Sequence, residues 1–275
     1  MAHGPVVPPG AEVGYRVEWL YRDPPKLDAA AIQRALARAL PETEVKELDP
    51  GNLSVAHNGH AVRFADGQGT ALTAILNPKD RSISVQEFQT AVEQTWSWPR
   101  DEAKARIGRS RSRIVVMDLL SLGQPYQTRL RLVYEVARAV AATTQPEVAY
   151  WQPAGQMVAP ETLTDDPLDA ALNVRLFRVE DHPGHLVMDT LGLSALGVPD
   201  VQCHFHGLEP GRVAGLLRGI ATYVFEKGDV IADGNTIQGL EATDKWACRH
   251  EMALLPPRRV VVDINPGAPH STRPT

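Results

Sequence analysis

Cysteine is scarce in this chain. Cys203 and Cys248 are the only two among 275 residues, too few for a disulfide scaffold. Positive charge is not in excess: 28 Lys and Arg stand against 33 Asp and Glu, for a net charge of -5. Phosphate contacts supply most of the affinity for nucleic acid, so nucleic acid is not the expected ligand. No run nears the ~20 consecutive apolar residues that cross a bilayer. The opening MAHGPVVPPGAEVGY lacks the basic segment and apolar core of a secretory signal, which makes the cytoplasm the expected compartment. G-x-S-x-G, G-x-G-x-x-G, P-loop, C-x-x-C and H-E-x-x-H patterns are all missing. These absences argue against a nucleophile elbow and a standard nucleotide site, and leave a zinc motif without support.

What is present suits a folded protein. Hydrophobic residues make up 43% and charged residues 22%, close to globular averages. The length allows one large domain or two lobes. Proline, at 22 residues, gathers at the ends and in turns.

Residues 1–12 are rich in Pro and Gly and read as a flexible tail. Residues 15–21 alternate Val17, Trp19 and Tyr21 against Arg16 and Glu18, a strand pattern. Asp28 caps a helix expected to reach Leu40, with Ile32 and Leu36 on its stripe. Short strands are expected at 45–48, 53–56, 61–64 and 71–76, with turns at Pro50-Gly51, Asn58-Gly59 and Asp66-Gly67. Ser84 and Glu87 form a capping-box pattern for a helix lined by Val85, Phe88, Val92 and Trp96. Residues 114–120 read as a buried strand, 125–143 as a helix and 148–153 as a strand. Residues 161–166 form a polar linker.

Beyond it, strands are expected at 173–180, 185–190, 201–205, 246–254 and 259–264. A helix starts at Pro210 and stops at Gly228. Short strands, tight turns and isolated helices predict an α+β fold: two lobes of mostly antiparallel sheet with packed helices. The expected divisions are an N-terminal lobe over 13–165, a C-terminal domain over 166–267 and a flexible tail over 268–275.

The C-terminal part carries NVRLF (173–177), MDTLGLSALGVPDVQCHFH (188–206), YVFEKGDVIADGNTI (223–237) and WACRHEMALLPPRRVVVDINP (246–266). With the upstream YWQPAGQMVAPE (150–161), these segments resemble the domain of unknown function 4261 family, found mainly in bacteria. The resemblance covers about the last half of the chain. It implies no activity, cofactor or catalytic residue.

Three constellations could carry chemistry. The first is a metal site from Cys203, His204, His206, Cys248 and His250, with Glu251 beside them. Alternation along a strand puts His204 and His206 on one face and Cys203 with Phe205 on the other. The plainer account is that Cys203 and Phe205 face a core while the two histidines face water. The second is acid/base chemistry by Asp189, Asp200 and Asp263, against the ordinary role of such carboxylates in turns and caps. The third is a basic stripe of Arg109, Arg111 and Arg113 on one strand face, able to meet an acidic partner or phosphates; the blander account is a solvated strand end. Trp96, Trp98, Trp151 and Trp246 read as core or interface anchors, not a stacking platform.

The expected function is non-catalytic protein binding. An immunity protein neutralising a bacterial toxin is the particular case, by analogy at family level. Its partner is then a protein and no cofactor is needed. The alternative is a metal-dependent hydrolase using His204, His206, Cys248 and His250, with Asp189 as a further catalytic candidate. The relative position of the strands bearing 201–206 and 246–251 separates the two.

Overall fold

The computed structural model describes residues 15–64, 67–78 and 82–271. The tail expected over 1–12, Asp66 of one expected turn, and residues 272–275 lie outside these described residues. The chain divides into two compact units, with the boundary between Ala171 and Leu172.

The N-terminal unit is built on a seven-stranded sheet. Its strands are β1 (Arg16–Tyr21), β2 (Thr43–Asp49), β3 (Asn52–Phe64), β4 (Gly67–Leu76), β5 (Ser112–Asp118), β6 (Val148–Trp151) and β7 (Gln156–Val158). Their order is β2-β3-β4-β5-β1-β6-β7, with every neighbour antiparallel. β1 lies between β5 and β6, so both of its edges are paired; with helices on the two faces of the sheet, even Glu18 is buried. Helices α1 (Ala29–Leu36) and α4 (Tyr126–Thr144) pack on one face. Tyr21 of β1 points that way, its hydroxyl 2.9 Å from Thr144 Oγ1. The opposite face carries α2 (Gln89–Gln94) and α3 (Arg100–Arg109). There Leu20, Phe88, Val92, Trp98, Ile107 and Met157 form one apolar cluster.

Several expectations need correction here. α1 stops at Leu36 instead of Leu40: the Ala37 N–H bonds Arg34 O in a tightened last turn, and Pro41 disfavours helical geometry at Leu40. The Gln33 side chain then ties the start of β2 to the helix, through Thr43 O and Val45 N. Ser84 does cap at Glu87 N, but the first turn is 3-10, α2 ends at Gln94, and Trp96 is 53% exposed. Trp98 takes the buried place. Asn58-Gly59 is not a hairpin turn. β3 runs through it, pairing with β4 on both sides of a register shift between His57 and Ala61, while its pairing with β2 ends at His57.

The C-terminal unit is a six-stranded sheet in the order β11-β12-β13-β10-β9-β8. The strands are β8 (Asn173–Arg178), β9 (His185–Leu191), β10 (Asp200–His206), β11 (Thr236–Gln238), β12 (Lys245–Met252) and β13 (Val260–Asn265). The pairing of β10 with β13 is parallel and the rest are antiparallel. Helix α6 (Pro210–Lys227) starts at Pro210, with the Glu209 carboxylate accepting from the N–H groups of Gly211 and Arg212. It lays Val213, Leu217, Ile220, Ala221 and Val224 against the sheet. The four-residue α5 (Leu168–Ala171) precedes this unit. The fold class is α+β, with two mostly antiparallel sheets and packed helices.

The described part of the expected C-terminal tail is pinned instead of free. His206 N donates to His270 O at 3.1 Å, and Ser271 bridges to Phe205. The edge of β10 beyond its pairing with β13 has open backbone groups, and the returning chain satisfies them.

Candidate functional site

The sheet of the C-terminal unit has two chemically distinct faces. Laterally paired residues share a face, and successive residues alternate. One face, under α6, carries Val201, Cys203 and Phe205 of β10, with Val262 and Ile264 of β13. Its share of β12 is Trp246, Cys248 and His250. The other face carries a polar row that crosses five strands: Arg175, Asp189, Gln202, Asp263 and Arg249.

This parity decides the metal candidates. Cys203, Cys248 and His250 lie on the α6 side. His204 and His206 lie on the other, with β13 standing between β10 and β12. The five residues therefore do not converge. Among the described residues, no three His, Cys, Asp or Glu side chains are grouped as a metal requires. Both cysteines are buried. Burial pushes the Cys203 thiol up, and raises Cys248 to about 11, with Asp263 adding in both cases. Neither is a thiolate near neutral pH.

His250 has other partners. Its Nδ1 lies 2.8 Å from Asp233 and its Nε2 2.9 Å from Asp229, while its backbone N–H also donates to Asp233. Partial burial pulls its pKa down, but the hydrogen bonds to Asp233 and Asp229 prevail and hold it above the ordinary value. It clamps β12 to the segment after α6.

His204 and His206 join a cluster that sequence reading missed. The His185 ring stacks on His206, centroids 4.9 Å apart and planes within 9°, and on His182 at 5.3 Å. His204 meets His185 edge-on at 5.9 Å, and His270 lies 6.3 Å from His206. Stacked rings present their faces to each other, not converging nitrogen lone pairs. The signal was available: His182 and His185 flank the turn into β9, and β9 pairs His185 with His206.

The acid/base candidates are held in a buried network. Asp189, 0% exposed, accepts from Arg175 Nε and Nη2 at 2.9 and 2.6 Å and from Arg259 Nη2 at 2.6 Å. Asp200 accepts from Arg259 Nε at 3.1 Å, from Thr190 Oγ1 and from the backbone N–H groups of Leu193 and Ser194. Burial raises the Asp200 pKa while Arg259 and these hydrogen bonds oppose it. Asp263 accepts from Gln202 Nε2 at 3.0 Å. The same side chains fasten the segment before β13. Arg175 donates to Pro256 O, Arg259 to Leu255 O and Pro257 O, and Gln202 accepts from Leu254 N. Each carboxylate is met by donors, so the network organises a loop on the polar face. Arg259, which donates to Asp189, Asp200 and three backbone carbonyls, is its hub.

The arginine stripe also needs correction. Arg109 ends α3 and Arg111 precedes β5, so only Arg113 is on the strand. Ser110 breaks the helix between them. Arg113 is buried and bonded to Glu18 and Glu87 at 2.7 Å each. Arg109 pairs with Glu147, and Arg111 donates to Gly108 O and Ser110 O. No common face remains.

An open groove lies on the α6 side. It holds about 490 Å³ between the outer surface of α6, the segment after it and the edge strand β11. Leu216, Tyr223, Val230 and Ile237 line it; Tyr223 and Val230 are 47% and 51% exposed. At Gly215 and Gly219 nothing lies within 4 Å of where a Cβ would stand. Asp229 and Asp233 flank the same segment.

These features define an α+β protein whose second unit is a six-stranded sheet with a buried ionic network on one face and one long helix on the other. Residues 189–265, from β9 to β13, match the model of a domain of unknown function (DUF4261). The match includes Asp189, Asp200, Gln202, Arg259 and Asp263. No curated protein and no solved structure matches the chain. No helix among the described residues is long and apolar enough to cross a membrane.

Proposed function

We propose that this chain is a non-catalytic protein-binding module that receives a partner segment along the groove between α6 and β11. The observation that carries this reading is the division of labour in the C-terminal unit. Its buried charged groups are spent on one another, while Tyr223 and Val230 are left to solvent beside a sheet edge. Large exposed apolar side chains around a concavity are how recognition surfaces are built. The edge of β11 offers backbone hydrogen bonds to an extended segment, whose apolar side chains would enter the groove. The net charge of -5 favours a basic partner. A bacterial toxin, with this chain as its immunity protein, is the partner class we put forward.

The test is co-purification from the native host with a quantitative comparison. The wild-type chain should return a stoichiometric partner, whose affinity the doubly substituted Tyr223→Asp, Val230→Asp chain lowers by roughly 30-fold or more. Circular dichroism checks that the variant is folded. A folded variant that binds as tightly as wild type overturns the groove, and a wild-type chain that elutes alone overturns the binding reading.

A further inference from the structure

The N-terminal unit contains a cleft of about 320 Å³ where the end of the α1–β2 connection, the irregular part of β3 and the first half of α4 meet. Its lining includes Leu40, Glu42, His57, His60, Thr128 and Arg131. The cleft exists because β3 carries three extra residues between its two paired stretches, at the shift between His57 and Ala61. That irregularity is held in place. Asn58 N donates to Glu42 O at 2.8 Å, and Thr70 Oγ1 donates to His57 O at 2.5 Å. Bulges of this kind recur beside binding sites, where they re-aim side chains.

Three polar groups in the cleft have unused capacity. His57 is 1% exposed. Its Nε2 is tied to Thr73 Oγ1 on β4 at 2.9 Å, while its Nδ1 has no partner. Burial, helped by the charge on His60 and opposed by Asp118, pushes its pKa down to about 4. At neutral pH it is an uncharged ring with one buried polar atom unmatched, which costs about 1–3 kcal/mol until something meets it. Arg131 donates to Ala39 O at 3.1 Å, but no carboxylate among the described residues pairs with it. Glu42 meets no cation among the described residues, and its carboxylate rests against Gly59, where a side chain would displace it. The cleft thus presents an unpaired cation, an unpaired anion and a neutral buried imidazole to the same small volume. Leu40 and Leu132 supply apolar wall.

We propose that this cleft binds a small zwitterion of the α-amino acid class with a polar side chain. Its carboxylate is received by Arg131, its ammonium by Glu42, and its side chain by His57 Nδ1. A planar guanidinium is suited to a carboxylate, and the cleft lies at the lower end of volumes typical for small-molecule sites. A plain anion would face Glu42, and a plain cation would face Arg131; only a ligand carrying both charges matches both. The site is independent of the α6 groove.

The probes are the twenty free amino acids at about 1 mM, a concentration that reports weak binding, observed by saturation-transfer NMR with the whole chain. At least one polar amino acid should give transfer. Its methyl ester, which lacks the carboxylate charge, should bind at least ~10-fold more weakly. Arg131→Met and Glu42→Gln, both at exposed positions, should each weaken it about 10-fold, and the His57 ring nitrogens should shift on binding. Asp165→Asn, at a site 96% exposed and outside the cleft, should leave it unchanged. Absence of transfer from all twenty overturns the proposal, as does binding that survives Arg131→Met and Glu42→Gln together.

Discussion

Asp189 shows how a suggestive residue is settled by its neighbours. Both of its oxygens receive guanidinium donors, from Arg175 and Arg259, and all three side chains are at most 4% exposed. Removing one partner of a buried ion pair strands the others, which costs about 3–5 kcal/mol. Asp189→Asn should lower stability by that amount, measured from urea midpoints. Asp165→Asn, which touches only the Arg138 pair at a site 96% exposed, should change it by less than about 1 kcal/mol. Equal effects would contradict the network described for β9.

His57 makes a separate prediction through pH. Its pKa is pushed down to about 4 in the fold, against an ordinary value of about 6.5. Between these values the unfolded chain takes up a proton that the folded chain refuses, so stability falls as pH drops through that window. The share due to His57 is about 2 kcal/mol between pH 7 and pH 5. His57→Gln should remove that share, and a variant as acid-sensitive as wild type would show that His57 is not the group responsible.

At the scale of elements, strand parity governs the C-terminal unit. His204 and His250 lie in segments that looked able to converge, but the register through β13 puts them on opposite faces. The connection between β11 and β12 is equally constrained. Gly239 is buried against Trp246, and a methyl group there would stand 2.7 Å from the ring Cδ1. Since Trp246 is itself 3% exposed, the ring has little room to yield. Gly239→Ala should cost about 1–3 kcal/mol, seen as a lower thermal midpoint, and an unchanged midpoint would mean that the loop can move away.

Elements with strong local signals were legible. The Asp28 and Pro210 helix starts, the strand of Val17, Trp19 and Tyr21, and the strands expected at 173–180 and 185–190 follow from capping and alternation. Asn58-Gly59 carries a turn signal that is strong in isolation, but β3 resumes its pairing with β4 at Ala61, so the dipeptide becomes part of a bulge and not a hairpin turn. α3 was hidden because its ten residues carry few apolar side chains, and only Ala103 and Ile107 are buried. The Arg109–Arg113 spacing then imitated a strand.

At the scale of the whole molecule, composition and charge already marked an acidic, cysteine-poor chain with enough apolar residues for a core, and the pattern of short strands, tight turns and isolated helices marked it as α+β. Sequence also identified the C-terminal segment, whose match to the domain of unknown function runs over 189–265. These are properties of local pattern, and local pattern is written along the chain. What the chain alone did not decide is which suggestive residues meet. Arg175 finds Asp189 across one strand pair, and Arg259 finds Asp189 from 70 residues away. His57, unremarked in sequence, becomes the buried floor of a cleft because β3 bulges beside α4. Convergence depends on register, face and long-range pairing, and these are set by the tertiary structure because a shift of one residue sends every side chain to the opposite face.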